Sequence, residues 1–483
     1  MSAFRRAATS HGGLWVLAIN ATALIAFVGS PVAPQYPLAV LGILAFSMVQ
    51  ALLPACRIRM DTPVCPANIA QGYYWVQLVL ITVLVGYFGF SLGTLPSLPS
   101  KRAIDLAIVA NVVGYLAFSV AYQCLARPIA RRALGRVWAA RAAYFIVPFA
   151  LVGLLGLFLT HGSVASFIEY ASSPIEQRLR SEDATTLGSA AGNFLKHFLG
   201  FAVVLAWSSW LSAAPRRPIV IVRVTAGLVL LLLIANFHYN RGTILGPLLG
   251  LAAAFSAHVW RIPFKAVIVA GALVLSVAYS FGAYRSSDLN VTELSRSAVE
   301  EGWSVEGIVE FVQIYASGPQ MTAYVIDSLE GTLYYGRTLL PSLVYPIPVL
   351  GKPFRDASGT VVFNAWIYGD TESFDQILPL NGELYMNFHL VGVILGNVLL
   401  GWALAWLQRK FMAAPVPVES YAWLLMALWT MYPGSLLVTS QIYIYSFWPI
   451  YGYFLAKRFW SRTAATSLSA STRPQSIPER RVA

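Results

Sequence analysis

Twelve apolar runs, each near the length needed to cross a bilayer, restrict this chain more than any other feature. They cover about 13–29, 37–55, 72–95, 104–126, 142–160, 194–213, 219–237, 243–259, 266–283, 384–407, 420–439 and 441–456. A helix spans the hydrocarbon core of a bilayer with ~20 mostly apolar residues. The sequence therefore predicts an all-α polytopic membrane protein with about twelve transmembrane helices. Composition agrees: 57% of the 483 residues are hydrophobic and 11% are charged, whereas a soluble domain carries about 25% charged residues. Mean hydropathy is +0.64. A soluble enzyme, a disordered protein and a nucleic-acid-binding domain are excluded, despite a net charge of +12. The first run follows Arg5 and Arg6 but has no small-residue cleavage site before the second, so it reads as a span and not as a signal peptide. Pro433 and Gly434 interrupt the eleventh run, which is tolerated where neighbouring helices satisfy the freed backbone groups. The 14 Trp and 24 Tyr suit aromatic belts at the two interfaces.

Lysine and arginine set the orientation, because cytoplasmic loops collect them. With the N-terminus in the cytoplasm and the runs alternating, the inside segments hold 22 of the 33 cations and only 3 of the 21 acids. The basicity is thus a topology signal and not a nucleic-acid footprint, and both termini are expected in the cytoplasm. Residues 1–283 form spans one to nine, and 284–383 form a large external loop. Residues 384–460 form spans ten to twelve, and 461–483, rich in Ser, Thr, Ala and Pro, form a disordered cytoplasmic tail. An external segment of 100 residues is far beyond an ordinary connection, and loops of that size are usually functional.

Four places carry candidate chemistry. The turn Asn236-Phe-His238-Tyr239-Asn240-Arg241-Gly242 packs two amides, an imidazole, a phenol and a guanidinium between two apolar runs. Tyr and Arg commonly anchor helix ends, yet a short external turn has no need of an Arg for topology. The second place is Gly331 to Arg355, where Pro341, Pro346 and Pro348 prevent a regular span. Apolar non-helical backbone near a membrane is buried in protein or lines a cavity, which puts Lys352 and Arg355 at the edge of one; two ordinary solvated cations are the plainer reading. The third, Asp370, Glu372 and Asp375, has ligands for Mg²⁺ or Ca²⁺ but lacks the spacing of a dedicated loop and reads as a solvated acidic turn. The fourth is Glu383, Tyr385, Asn387 and His389 entering the tenth run. Residues three and four apart share a helix face, and an ionisable residue entering a span is a functional candidate. Favourable placement at a helix N-terminus accounts for Glu383 alone, and a hydrogen-bonded core imidazole accounts for His389. Three cysteines without a CxxC pair give neither a disulfide framework nor a metal site, and no cofactor is expected.

Arg241-Gly242 opening a span, the stretch Pro346 to Pro353, and Gly382-Glu-Leu-Tyr-x-Asn-Phe running to Gly396 resemble the O-antigen polymerase (Wzy-type), or oligosaccharide repeat-unit polymerase, family. These motifs cover well under a tenth of the chain. At position 389 the family commonly has Gly where this sequence has His. The resemblance implies a glycosyltransferase-C-like membrane enzyme of the bacterial cell envelope. It would polymerise undecaprenyl-diphosphate-linked oligosaccharides on the outer face of the cytoplasmic membrane. A flippase, a chain-length regulator and membrane lipids are the implied partners.

Such a reaction must stabilise a diphosphate leaving group, which guanidinium forks do best. Arg241, Arg285, Lys352 and Arg355 are the available external cations, with His238, Tyr385 and Asn387 as further substrate contacts. The attacking hydroxyl needs a base within hydrogen-bond reach, and Glu383 or His389 fits. An O-antigen-ligase-like transferase would share the topology and donor. A twelve-span transporter is the reading from another class; such proteins place polar or broken helices near the bilayer midplane, whereas here the polar residues gather at the external ends of the runs.

Overall fold

The computed structural model describes the chain apart from residues 1, 94, 127–141, 164, 167–186, 214–216, 237–240, 270, 272–303, 317, 348–349, 372–375, 432–435 and 472–483. Among the described residues all regular structure is helical. Among the described residues, five helices have the length and apolar content to cross a membrane: Pro66–Phe88, Lys101–Leu125, Ala143–His161, Ala191–Ala213 and Leu380–Ala413. Leu14–Val28, Pro37–Leu52, Ile219–Val229 and Leu436–Tyr445 are shorter apolar helices. Most expected runs thus coincide with helices, while the run 266–283 lies largely outside the described residues.

Differences from expectation have local causes. The run expected at 72–95 is a helix from Pro66 to Phe88. Pro66 suits the first helical turn, where its missing N–H is not needed, and Gly89 ends the helix by taking φ 75°, open to glycine without strain. The helix is wound more loosely over Val76–Leu80, a π turn that carries Gln77. The last two runs resolve into Pro417–Met431, Leu436–Tyr445 and Trp448–Ser471, and this last helix enters the segment expected as an unstructured tail.

The chain divides into two compact units. One, made of 1–139 and 210–444, has its core where Lys101–Leu125 meets Leu380–Ala413. Small residues permit that approach: a methyl group on Gly401 would sit 2.4 Å from the Phe118 carbonyl oxygen, and one on Gly114 would sit 2.8 Å from Asn397 Nδ2. Tyr74, Tyr115, Phe118 and Phe46 stack beside this seam. Close helix packing through small residues is what membranes favour, since lipid supplies no hydrophobic drive between helices.

The other unit comprises 140–209 and 445–483. Its helix Ile146–His161 packs closely on the helices Leu187–Leu195 and His197–Ala213: methyl groups added at Gly153, Gly156 and Gly192 would meet Leu199 N, Lys196 N and Thr160 Oγ1 at 2.3–2.4 Å. Phe149, Phe198, Phe201 and Tyr453 fill its centre.

Candidate functional site

The site forms where the helix Leu380–Ala413 breaks. Asn364 prepares its start: its side chain accepts from the Gln376 N–H at 2.9 Å and donates to the Gln376 carbonyl at 2.7 Å, steering the chain back toward Pro379. The helix then runs regularly to Asn387. Phe388 (φ −143°, ψ 22°) and His389 (φ 53°, ψ −149°) leave helical geometry, and the helix resumes beyond them. The expectation that Glu383, Tyr385, Asn387 and His389 share successive turns of one helix is therefore corrected: His389 lies at the break.

A break in a membrane helix frees carbonyl groups that need donors. Here the loop 332–338 supplies them: the Tyr334 N–H donates to Met386 O at 3.1 Å and the Tyr335 N–H to Asn387 O at 3.2 Å. The Asn387 side chain adds to the join, accepting from the Gly336 N–H at 2.9 Å and donating to Thr338 Oγ1 at 2.7 Å. Asn387 is fully buried and holds the loop; no face of it is open to a substrate.

Glu383 is also fully buried. One carboxylate oxygen accepts the Ser342 hydroxyl at 2.5 Å, and the other accepts the Leu436 N–H at 3.1 Å. Ser342 Oγ in turn accepts from the Gly359 N–H at 2.9 Å, and the Ser440 hydroxyl donates to the Ser342 carbonyl at 3.0 Å. A methyl group on Gly359 would lie 2.6 Å from Glu383 Oε1, so glycine is what lets that backbone reach the carboxylate. Glu383 thus joins the short helix Leu339–Val344, the start of Gly359–Tyr368 and the start of Leu436–Tyr445. Both ends of the proline-rich stretch 342–359 close on it.

His389 differs in every respect. It is exposed, and its ring lies edge-on to Tyr385, centroids 5.0 Å apart. Its positive φ combined with its ψ falls in a region essentially reserved for glycine. A non-glycine residue there costs about 1–3 kcal/mol and persists only where surrounding structure enforces it. Such strain concentrates at functional positions.

The expected cations are placed less closely. Lys352 is exposed in a single 3₁₀ turn, Lys352–Phe354. Arg355 donates to the Thr371 carbonyl at 2.9 Å and lies 4.0 Å from Asp356, so it shapes its own loop. His238 and Arg285 lie outside the described residues; Arg241 opens the helix Arg241–His258, and its side chain is not among those described.

Sequence reasoning missed a second polar feature, inside the spans. Tyr74 OH donates to Asn397 Oδ1 at 3.1 Å, Asn397 Nδ2 donates to Asn381 Oδ1 at 2.8 Å, and Asn381 Nδ2 donates to Asn111 Oδ1 at 2.8 Å. This chain borders a cavity of about 30 Å³ that Gln77 and Thr430 also line. That is room for water molecules and not for a sugar. Single amides in apolar runs gave no warning, because their partners are far off in the sequence: Tyr74 and Asn111 come from other helices, and Asn381 and Asn397 meet from opposite sides of the helix break.

No protein-family model, curated protein or solved structure matches this chain.

Proposed function

We propose that this protein is a membrane glycosyltransferase that polymerises polyprenyl-diphosphate-linked oligosaccharide repeat units on the outer face of a bacterial cytoplasmic membrane. The reading includes twelve spans, cytoplasmic termini, a glycosyltransferase-C-like arrangement and an external segment 284–383. The observation that carries it is the exposed His389 imidazole, held in a glycine-type backbone at the break of a membrane helix. A base must touch the substrate, and of the two expected candidates only His389 is accessible. Glu383 becomes a positioning residue: buried and fully engaged, it ties the helix Leu339–Val344, which follows the loop 332–338, to the start of Leu436–Tyr445.

In this reaction a sugar hydroxyl of one lipid-linked repeat attacks the anomeric carbon of the growing chain. The carbon–oxygen bond to the diphosphate breaks, the electron pair leaves with the polyprenyl diphosphate, and the hydroxyl proton passes to the His389 imidazole. Lys352 and the expected Arg241 and Arg285 are the cations proposed to balance the leaving group. Ligase-like transfer to a lipid or protein would use the same steps with another acceptor.

One observation favours a second reading, transport: a broken helix and a buried amide chain inside the spans are features of transporters. Purified protein given lipid-linked repeat units, without nucleotide or ion gradient, separates the two. Long glycan formed under those conditions supports polymerisation. Its absence, together with gradient-dependent solute movement in vesicles, overturns it.

A further inference from the structure

The helix Lys101–Leu125 serves as a depth gauge, being long and apolar enough to cross a membrane. Asn111 lies about 15 Å below Lys101 at 1.5 Å per residue, half of a hydrocarbon core about 30 Å thick. Asn381 donates to Asn111 Oδ1 at 2.8 Å and accepts from Asn397 Nδ2 at 2.8 Å. The helix Leu380–Ala413 therefore starts at mid-membrane depth, where Pro379 and Leu380 line one cavity with Tyr74 and Thr430. From there the chain climbs to its break and turns back. A methyl group on Gly392 would lie 2.4 Å from the Leu384 carbonyl oxygen, and one on Gly396 2.4 Å from Leu384 Cδ1. In an unbroken helix residues 384 and 392 would stand about 12 Å apart. Residues 380–387 and 390–397 are thus two arms of a hairpin with Phe388 and His389 at its tip. Gly114 faces Asn397 and Gly401 faces Phe118, so the outgoing arm runs parallel to Lys101–Leu125 and the tip points to the Lys101 end.

The helix Leu339–Val344 lies at a similar depth. Glu383, two residues past Asn381, accepts the Ser342 hydroxyl at 2.5 Å, which sets this short helix beside the hairpin's first arm and not above the bilayer. Its Pro341 and Ser342 are buried. Leu340 and Leu343, three apart and so on one face, are 60% and 46% exposed. Val391, Leu395 and Leu399 repeat every four residues along the outgoing arm and are exposed too, as the lipid-facing stripe of a span would be. Exposed Arg337 and Lys352 flank the short helix, and long cationic side chains reach from apolar surroundings to headgroups. Irregular backbone at membrane depth needs partners other than water, and side chains supply them. Asn364 pairs with both the N–H and the carbonyl of Gln376, Ser342 Oγ accepts the Gly359 N–H, and Glu383 accepts the Leu436 N–H.

We infer that the helix Leu339–Val344 and residues 376–387 belong to a re-entrant element, which enters and leaves the bilayer on the Lys101 side, and that Leu340 and Leu343 bear on the acyl chains of that leaflet. Part of the segment expected as an external loop is then a lipid-facing piece of the membrane domain. Acyl chains are the occupant because the face is apolar, lies at hydrocarbon depth and shares its exposure with the stripe on the outgoing arm. The inference goes beyond the polymerase reading and does not rest on it; it rests on Lys101–Leu125 and Leu380–Ala413 crossing the membrane.

Nitroxide labels on the full-length protein in phosphatidylcholine–phosphatidylglycerol vesicles test it. Leu340→Cys and Leu343→Cys are made singly with Cys124→Ser, since Cys124 is the exposed native thiol and Cys56 and Cys65 are buried. Both leucines are exposed, so neither change removes buried packing. Leu395→Cys calibrates lipid, and Asp356→Cys, on a carboxylate 75% exposed, calibrates water. Relaxation by oxygen, which concentrates in hydrocarbon, is compared with relaxation by a polar nickel chelate. The oxygen-to-nickel ratio at positions 340 and 343 should match that at 395 and exceed that at 356 at least about tenfold, because hydrocarbon excludes polar solutes. Ratios equal to that at 356 overturn the inference and make the segment a water-exposed loop. Low access to both agents also overturns it, since protein then covers the face. A water-type ratio at 395 as well overturns the membrane-spanning premise together with the inference. Glycan synthesis is not read in any arm, so failure of the polymerase reading leaves these outcomes unchanged.

Discussion

The two helices that form the core of the larger unit, Lys101–Leu125 and Leu380–Ala413, obey different rules. The first is regular over its length, and Ser100 caps it by accepting the Ala103 N–H at 3.2 Å. The second packs against it through Gly401 and Asn397, yet breaks at Phe388 and His389 in a conformation costly for histidine. Both are apolar enough to span a membrane, so their environment does not explain the contrast. The break is held by the loop 332–338 and the Asn387 side chain, and one turn earlier the carboxylate of Glu383 ties the helix that follows this loop; all are tertiary contacts. Local consistency marks the scaffold, and an enforced local inconsistency marks a candidate site.

If that contrast is right, the broken helix should depend on Glu383 far more than the regular helix depends on its cap. Glu383→Ala leaves the Leu436 N–H and the Ser342 hydroxyl without their acceptor in a buried place. The expected loss is about 1–3 kcal/mol for each group left unpaired, read as a lower thermal midpoint in detergent. Glu383→Gln should lose much less, within about 1.5 kcal/mol, since its carbonyl accepts from Leu436 and its amide donates to Ser342. It should keep much of the polymerising activity, as befits a positioning residue. Glycan synthesis abolished by Glu383→Gln in a protein of normal stability would return the base role to Glu383. The smallest effect should come from the regular helix: Ser100→Ala removes a cap worth about 1 kcal/mol and should lower the midpoint without altering glycan length.

Much of the scaffold is legible in the sequence. The run expected at 104–126 is the helix Lys101–Leu125, and that at 142–160 is Ala143–His161, because apolar length and flanking polarity decide such elements locally. The clustering of Glu383, Tyr385 and Asn387 at the head of a span is legible for the same reason. The break at Phe388 is not. The segment Glu383 to His389 contains neither Pro nor Gly, and nothing in it opposes a helix. The cause lies about fifty residues upstream, in backbone donors of Tyr334 and Tyr335 that no side-chain pattern announces. Ser342 escaped notice because a hydroxyl between Pro341 and Leu343 carries no signal until Glu383 is folded against it.

The central claim is that His389 is kept in a strained backbone for its imidazole, and replacing it by glycine and by alanine tests this directly. Glycine relieves a conformational cost of about 1–3 kcal/mol against an entropic penalty of roughly 0.5–1 kcal/mol, so His389→Gly should raise the thermal midpoint, while His389→Ala, still strained, should not. Both should lose chain growth by about 10²-fold or more, the contribution of a general base. A His389→Gly protein that lengthens lipid-linked glycan at the wild-type rate would contradict the account.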